Sequence, residues 1–249
     1  MPCVAEVVTV PLFVLPMGIF PMCQEPLRVF EPRYKQMLDD CVLNNSDFGY
    51  IAANIEGDSE NGWTLPAEYG VLTSPENLQE QGTNLMFTAY GEKRFRVLNI
   101  IPAALSAEDF GDVFPSVDEL VEQYIEEDAE GKLYTRAEIE ILDPIEGVID
   151  SEDWIEILEK WAWQIVEMSR LFRNEVLSLS EVYSVLQSEF SPYSEYSLWF
   201  ACHSLLDSIG DRQTALSSTS ISEIKQLLIR NLEEKNSQLE ATRGFRDSN

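Results

Sequence analysis

The sequence predicts an α+β protein: a bent antiparallel, barrel-like β-sheet with one helix in the N-terminal half, then an α-helical bundle. Two observations carry this prediction. From residue 4 to about 105, short runs rich in Val, Ile, Leu, Phe and Tyr are punctuated by Gly and Pro, as in strands and turns. After Asp143 and Pro144 the apolar period lengthens from two residues to about 3.5, as in amphipathic helices. The expected organisation is a β-rich subdomain over residues 4–145, a helical subdomain over 151–240 and a frayed polar tail at 241–249.

The expected strands are Val7 to Val14, Leu27 to Phe30, Phe48 to Ile55, Leu85 to Tyr90 and Phe95 to Ile101. A helix interrupts them. Pro32 suits its first turn, Glu31 suits its positive end, and Tyr34, Met37, Leu38, Cys41 and Val42 fall at helical spacing before Asn44 and Asn45 stop it. Val117 to Glu130 reads as a short amphipathic helix, with Leu120, Val121, Tyr124 and Ile125 on one side and Gly131 at its end. Leu133 to Leu142 then alternates, placing Leu133, Ala137, Ile139 and Ile141 on one face of a further strand.

In the second half, Trp154, Ile157, Leu158, Trp161, Ile165, Met168 and Phe172 make one long apolar stripe, with Ser151 as N-cap. Ser180 to Phe190, Glu195 to Ile209 and Ile221 to Leu239 follow as amphipathic helices.

Charge narrows the function. The chain carries 44 acidic and 17 basic side chains, a formal net charge of −27. Such a surface repels phosphate backbones and anionic lipid heads, so neither nucleic acid nor membrane is expected as a partner. Residues 101–160 hold 19 of the acids and 3 of the bases, so the imbalance is concentrated there. Cys3, Cys23, Cys41 and Cys202 are scattered without pairing motifs and read as free thiols in a reducing compartment. The first 23 residues lack Lys and Arg and are broken by Pro2, Pro11, Pro16 and Pro21, unlike a signal peptide. A cytoplasmic location is expected.

Candidate catalytic chemistry is sparse. His203 is the single histidine, and Phe200, Ala201 and Leu205 around it fit a packed helix face better than a triad. Gly131 and Lys132 are followed by Leu133, whereas a phosphate-binding loop needs Ser or Thr after its lysine. The run Glu126 to Gly131 lacks the ligand spacing of a calcium loop. Glu138 and Glu140 would serve an enzyme only from a pocket that raised their pKa values. No catalytic residue, metal or cofactor is expected.

The most distinctive stretch runs Pro11-Leu12-Phe13-Val14-Leu15-Pro16, then Phe20-Pro21, then Pro26-Leu27-Arg28-Val29 and Phe30-Glu31-Pro32-Arg33-Tyr34. It resembles the N-terminal domain of the Lon protease family, whose opening strand, Phe-Pro turn and Phe-Glu-Pro-Arg-Tyr junction come in this order. Phe48-Gly49-Tyr50-Ile51, Gly91 with Arg94 to Leu98, Tyr134 with Ala137 and Ile139, and Ser197 to Ala201 extend the resemblance over roughly residues 8–235. Residues 106–131 read as an acid-rich insertion between strands that the family joins by a short turn. The chain ends where full-length Lon continues into its ATPase and protease domains, so the resemblance implies a stand-alone, non-catalytic form.

That resemblance implies a module that binds unfolded or hydrophobic polypeptide segments, or alternatively an adaptor for one specific folded protein. Phe13, Met17, Ile19, Phe20 and Met22, in a Pro-rich turn, are the candidate contacts, with core packing as the competing role of each. Phe30, Glu31, Pro32, Arg33 and Tyr34 are expected to fix a strand-to-helix corner. The acidic insertion favours a basic partner.

Overall fold

The computed structural model describes residues 7–54, 57, 59–111, 115–148 and 150–247. The chain forms two compact units, Met1–Asp143 and Pro144–Asn249.

The first unit contains β1 (Val7–Leu15), β2 (Gln24–Val29), α1 (Pro32–Asn44), β3 (Phe48–Ala53), the short pair β4 (Ser59–Glu60) and β5 (Trp63–Thr64), β6 (Pro66–Gln81), β7 (Asn84–Ile101), α2 (Val117–Tyr124) and β8 (Arg136–Ile141). Strands β1, β3, β6, β7 and β8 each pair with the next, and β8 pairs back onto β1, so the sheet closes into a five-stranded barrel. β7 is long enough to serve two structures. Its Phe95–Ile101 segment pairs with β8, whereas Leu85–Tyr90 pairs with β2. The distal halves of β6 and β7 therefore leave the barrel and form a three-stranded flap with β2.

Two features depart from expectation. The sheet is mixed, because β1 and β3 run parallel: β2 and α1 lie between them, and this crossover returns the chain to the end where it started. In addition, β7 is one continuous strand and β6 extends to Gln81, although Pro75 and the polar run from Glu76 break the apolar alternation. Ile55, the expected end of the β3 segment, lies outside the described residues.

Val10, Leu12, Ile51, Leu72, Phe95, Ala137 and Ile139 fill the barrel. Gly70 leaves room for Phe95, since a Cβ there would collide with the Phe95 ring. Period-two alternation sends Phe13 to the opposite face of β1, where its ring meets Tyr34 edge-on at 4.3 Å and Phe48 at 5.9 Å. Tyr34, Met37, Leu38 and Cys41 are the buried stripe of α1. The helix begins with Pro32 at its first position, and Asn45 ends it in the left-handed conformation.

The acid-rich stretch expected to be an insertion contributes packed side chains over its described part. Phe110, Leu120, Tyr124 and Leu133 make a small core of their own. Leu133 is thus drawn away from the strand face expected for it, and β8 starts only at Arg136. α2 stops at Tyr124, well short of Glu130, because further acids would crowd the negative end of the helix. Gln36 of α1 ties the insertion down: its Nε2 donates to the Tyr124 hydroxyl (3.2 Å), and its Oε1 accepts the Leu133 N–H (2.7 Å). Asp40, one turn later, accepts from the Tyr134 hydroxyl at 2.7 Å and pairs with Lys132 at 2.9 Å.

The second unit contains α3 (Ser151–Met168), a π-helical turn at Ser169–Arg173, α4 (Leu179–Glu189), α5 (Glu195–Leu205), α6 (Ile209–Ser217) and α7 (Ile221–Asp247). Phe190 is the hub of an aromatic core, with Trp161, Trp154 and Phe200 at 5.3, 5.5 and 5.7 Å. Asp150, not Ser151, caps α3, its carboxylate accepting the Asp153 N–H at 2.9 Å. The stripe of α3 also ends early. Trp154, Ile157 and Leu158 are buried, but Met168 at the end of α3 is exposed, and in the π turn that follows Leu171 is buried while Phe172 is exposed.

The segment Glu195 to Ile209 is two helices, because Ser208 starts a new one by accepting the Asp211 N–H at 3.0 Å. Buried Arg212 then donates to the carbonyls of Leu206 (2.7 Å) and His203 (2.9 Å) at the end of α5. α7 continues through Asp247, so the segment expected to fray is helical over its described part.

Candidate functional site

The five candidate contact residues separate in the fold. Phe13, Ile19 and Phe20 are 3%, 1% and 0% exposed, and Met17 is half-buried. Met22 reaches the surface at 38% exposure. These residues therefore do not form one exposed patch.

Met22 has an unusual backbone. The Phe20 carbonyl accepts the Cys23 N–H at 3.2 Å, Pro21 occupies the second position of the turn, and Met22 occupies the third with φ of 61°. That combination defines a type II turn, in which the third position favours glycine. A side-chain-bearing residue in the left-handed region costs about 1–2 kcal/mol. The same residue opens a bulge against β7: Met22 N–H donates to the Gly91 carbonyl (2.8 Å) and Gly91 N–H donates to the Cys23 carbonyl (3.0 Å). Gly91 permits the approach, since a Cβ there would collide with the Phe20 carbonyl oxygen.

The bulge sets the phase of β2. Because the Cys23 carbonyl faces β7, alternation turns the backbone groups of Glu25, Leu27 and Val29 toward β7 and those of Gln24, Pro26 and Arg28 outward. Among the described residues β2 pairs with β7 alone, so its other edge is open. Pro26 stands where an N–H would otherwise project from that edge, which blunts it as a template for a further strand.

Side chains follow the same parity. Gln24, Pro26 and Arg28 are exposed, opposite Tyr90, Thr88 and Met86 of β7, which are half-buried, while Phe87 and Ala89 face the core. Phe30, just past β2, is 53% exposed. The outer face and ends of the flap thus present Met22, Pro26, Phe30, Met86 and Tyr90.

The corner motif divides between the two sides. Pro32 and Tyr34 are buried, and the Tyr34 hydroxyl donates to the Val14 carbonyl at 2.8 Å. Burial pushes the Tyr34 hydroxyl up to about 12 despite the opposing Arg33 charge. Arg33 Nε bonds the Glu31 carboxylate at 2.7 Å, and the guanidinium carbon is 4.2 Å from the Tyr34 ring centroid and 4.0 Å from that of Trp63. Trp63 was not among the sequence candidates; its signal was a lone Trp following the Asn61-Gly62 turn.

The weighed catalytic residues are dispersed. Glu138 is exposed and Glu140 half-buried on β8, whereas His203 is half-buried on α5, in the other unit. Among the described residues no group of three His, Cys, Asp or Glu side chains could hold a metal, and no helix is long and apolar enough to cross a membrane. Cys23, Cys41 and Cys202 are buried; Cys3 lies outside the described residues.

No protein-family model matches the sequence, and no curated protein does. Solved structures do match. A Lon N-terminal domain protein from Xanthomonas campestris aligns over 92% of this chain and 98% of its own, with TM-score 0.52 and 18% identity. The N-terminal domain of the Mycobacterium avium complex Lon protease aligns over 91% of this chain and 98% of its own, with TM-score 0.51 and 10% identity. This chain therefore has the fold of the Lon N-terminal domain.

Proposed function

We propose that the protein is a non-catalytic polypeptide-binding module that holds unfolded or hydrophobic segments on the outer face of its flap. The observation that carries this reading is the outward face of the β2–β7 pair, with Pro26, Met86 and Tyr90 on it and the exposed Met22 and Phe30 beyond the two ends of β2, while Phe87 and Ala89 on the other face are buried. Apolar side chains on an exposed sheet face suit the hydrophobic groups that unfolded chains offer. The likeness to Lon N-terminal domains supports the same direction.

Calorimetric titration with a panel of hydrophobic peptides and a permanently unfolded protein tests this reading. Saturable binding that weakens in a Phe30→Ser, Met86→Ser double variant is expected, and absence of binding across the panel overturns it.

A second reading, docking to one basic folded partner, is favoured by the exposed acids Glu122, Glu126, Glu127, Asp128 and Glu130 of the insertion. A pull-down giving a single stoichiometric basic protein, lost when those acids become glutamine or asparagine, would select it.

A further inference from the structure

The geometry points to a binding site apart from the flap: a groove between α3 and α7 that takes a small linear aliphatic polyamine. The two helices run side by side and parallel. Lys225 pairs with Asp153, Lys160 Nζ with Glu233 at 2.8 Å and Arg243 Nη1 with Glu167 at 3.7 Å, and Asn236 Nδ2 donates to the Lys160 carbonyl at 3.1 Å. A cavity of about 560 Å³ lies along this seam, to which α3 contributes Glu159, Lys160 and Trp163 and α7 contributes Glu233, Asn236 and Glu240. That volume suits a small molecule.

Four groups in its wall lack a partner among the described residues. Trp163 is half-buried, and its indole makes no hydrogen bond, ring contact or cation–π contact. The other tryptophans are all engaged: Trp63 by Arg33, Trp154 and Trp161 by Phe190, and Trp199 by Glu195. Asn236 Oδ1 is buried with no donor to it. The exposed carboxylates Glu159 and Glu240 have no basic partner, whereas Glu233 is paired with Lys160.

The placement of these groups selects the ligand. Asn236 is level with Lys160, so Glu159 and Glu240 stand on opposite walls, offset by about 7 Å along the helices. Trp163, one turn beyond Glu159 on the same face of α3, falls between those levels. An ammonium group against each carboxylate, with the alkyl stem and its charge across the indole face, matches this order. The strongly negative chain concentrates such cations around itself, and the groove gives them a fixed seat.

Calorimetric titration of the full chain with spermidine, at about 0.15 M salt, tests this. Saturable one-to-one binding is expected, and a Glu159→Gln, Glu240→Gln double variant should weaken it about tenfold or more. Removing equal charge from the acid-rich stretch, with Glu126→Gln and Glu127→Gln, should leave affinity within about twofold. The indole N–H resonance of Trp163, assigned by its loss in Trp163→Phe, should shift on addition of spermidine to the parent protein. Absent saturable binding, an unmoved Trp163 resonance, or equal weakening in the Glu126 and Glu127 variant overturns the site. A hexalysine peptide that displaces spermidine from the groove and binds it more tightly overturns the choice of a free polyamine.

Discussion

Arg33 lies over the Trp63 ring, its guanidinium carbon 4.0 Å from the ring centroid, and so joins the first turn of α1 to the strand pair β4–β5. The Tyr34 ring centroid is 4.2 Å from the same carbon, and the Glu31 carboxylate holds the Nε at 2.7 Å. Arg33→Ala should lower stability by about 1–2 kcal/mol, mostly through the lost stacking, since a partly exposed ion pair adds little. Arg33→Lys should recover less than half, because an ammonium cannot stack between two rings. Urea denaturation of both variants measures the difference.

Gly70→Ala should destabilise the barrel by about 1–3 kcal/mol, because the new methyl meets the Phe95 ring in a filled interior. Adding Phe95→Leu to that variant removes the collision, so the two substitutions should cost less together than the sum of their separate effects. A double-mutant cycle reads this coupling.

Gln36 serves both the Tyr124 hydroxyl and the Leu133 N–H. Gln36→Leu leaves both groups without it and should cost about 1–3 kcal/mol. Hydrogen exchange should accelerate at Leu133 while amides of the barrel strands β1 and β8 keep their protection, since the insertion has its own small core.

Stability should fall at alkaline pH. Burial raises Tyr34 from 10.0 to about 12 and Cys41 from 9.0 to about 11, and Tyr134 is raised by burial and by its hydrogen bond to Asp40. The folded state therefore keeps protons that the unfolded chain releases. This stabilisation is intact below about pH 9, where both states are protonated, and is lost as pH rises through 11 and 12. Each group contributes at most about 1.4 kcal/mol per pH unit inside its own window. Melting curves between pH 8 and pH 11.5 should show the decline, and Cys41→Ala should remove its earliest part.

The sequence reveals the fold where one face of an element is buried and the other is not. β1 and β8 alternate cleanly because the barrel takes every second residue, and the start of α1 is written in Glu31 and Pro32. β6 is obscure because its distal half belongs to the flap, with little core to impose alternation on Glu76 to Gln81. The parallel pairing of β1 with β3 depends on where a crossover returns the chain, which side-chain pattern does not encode. The candidate site was half legible: the Phe20-Pro21 turn is visible in sequence, but the burial of Phe13 and Ile19 follows from tertiary packing. Met86 and Tyr90 of the outer face carry no sequence signal beyond that of ordinary strand residues.

Closure of the barrel by β8 has a consequence during synthesis. β1 bonds to β3 on one side and to β8 on the other, joining Val7 to Glu140. β7 likewise needs β8 along Phe95–Ile101. A nascent chain that has not reached Arg136 thus carries two unsealed strand edges, one on β1 and one on β7, however well its earlier strands have paired. The ribosome must deliver the whole acid-rich insertion before the seal can form, so that soluble, strongly charged segment accompanies the unsealed edges during the interval when they are most prone to aggregate.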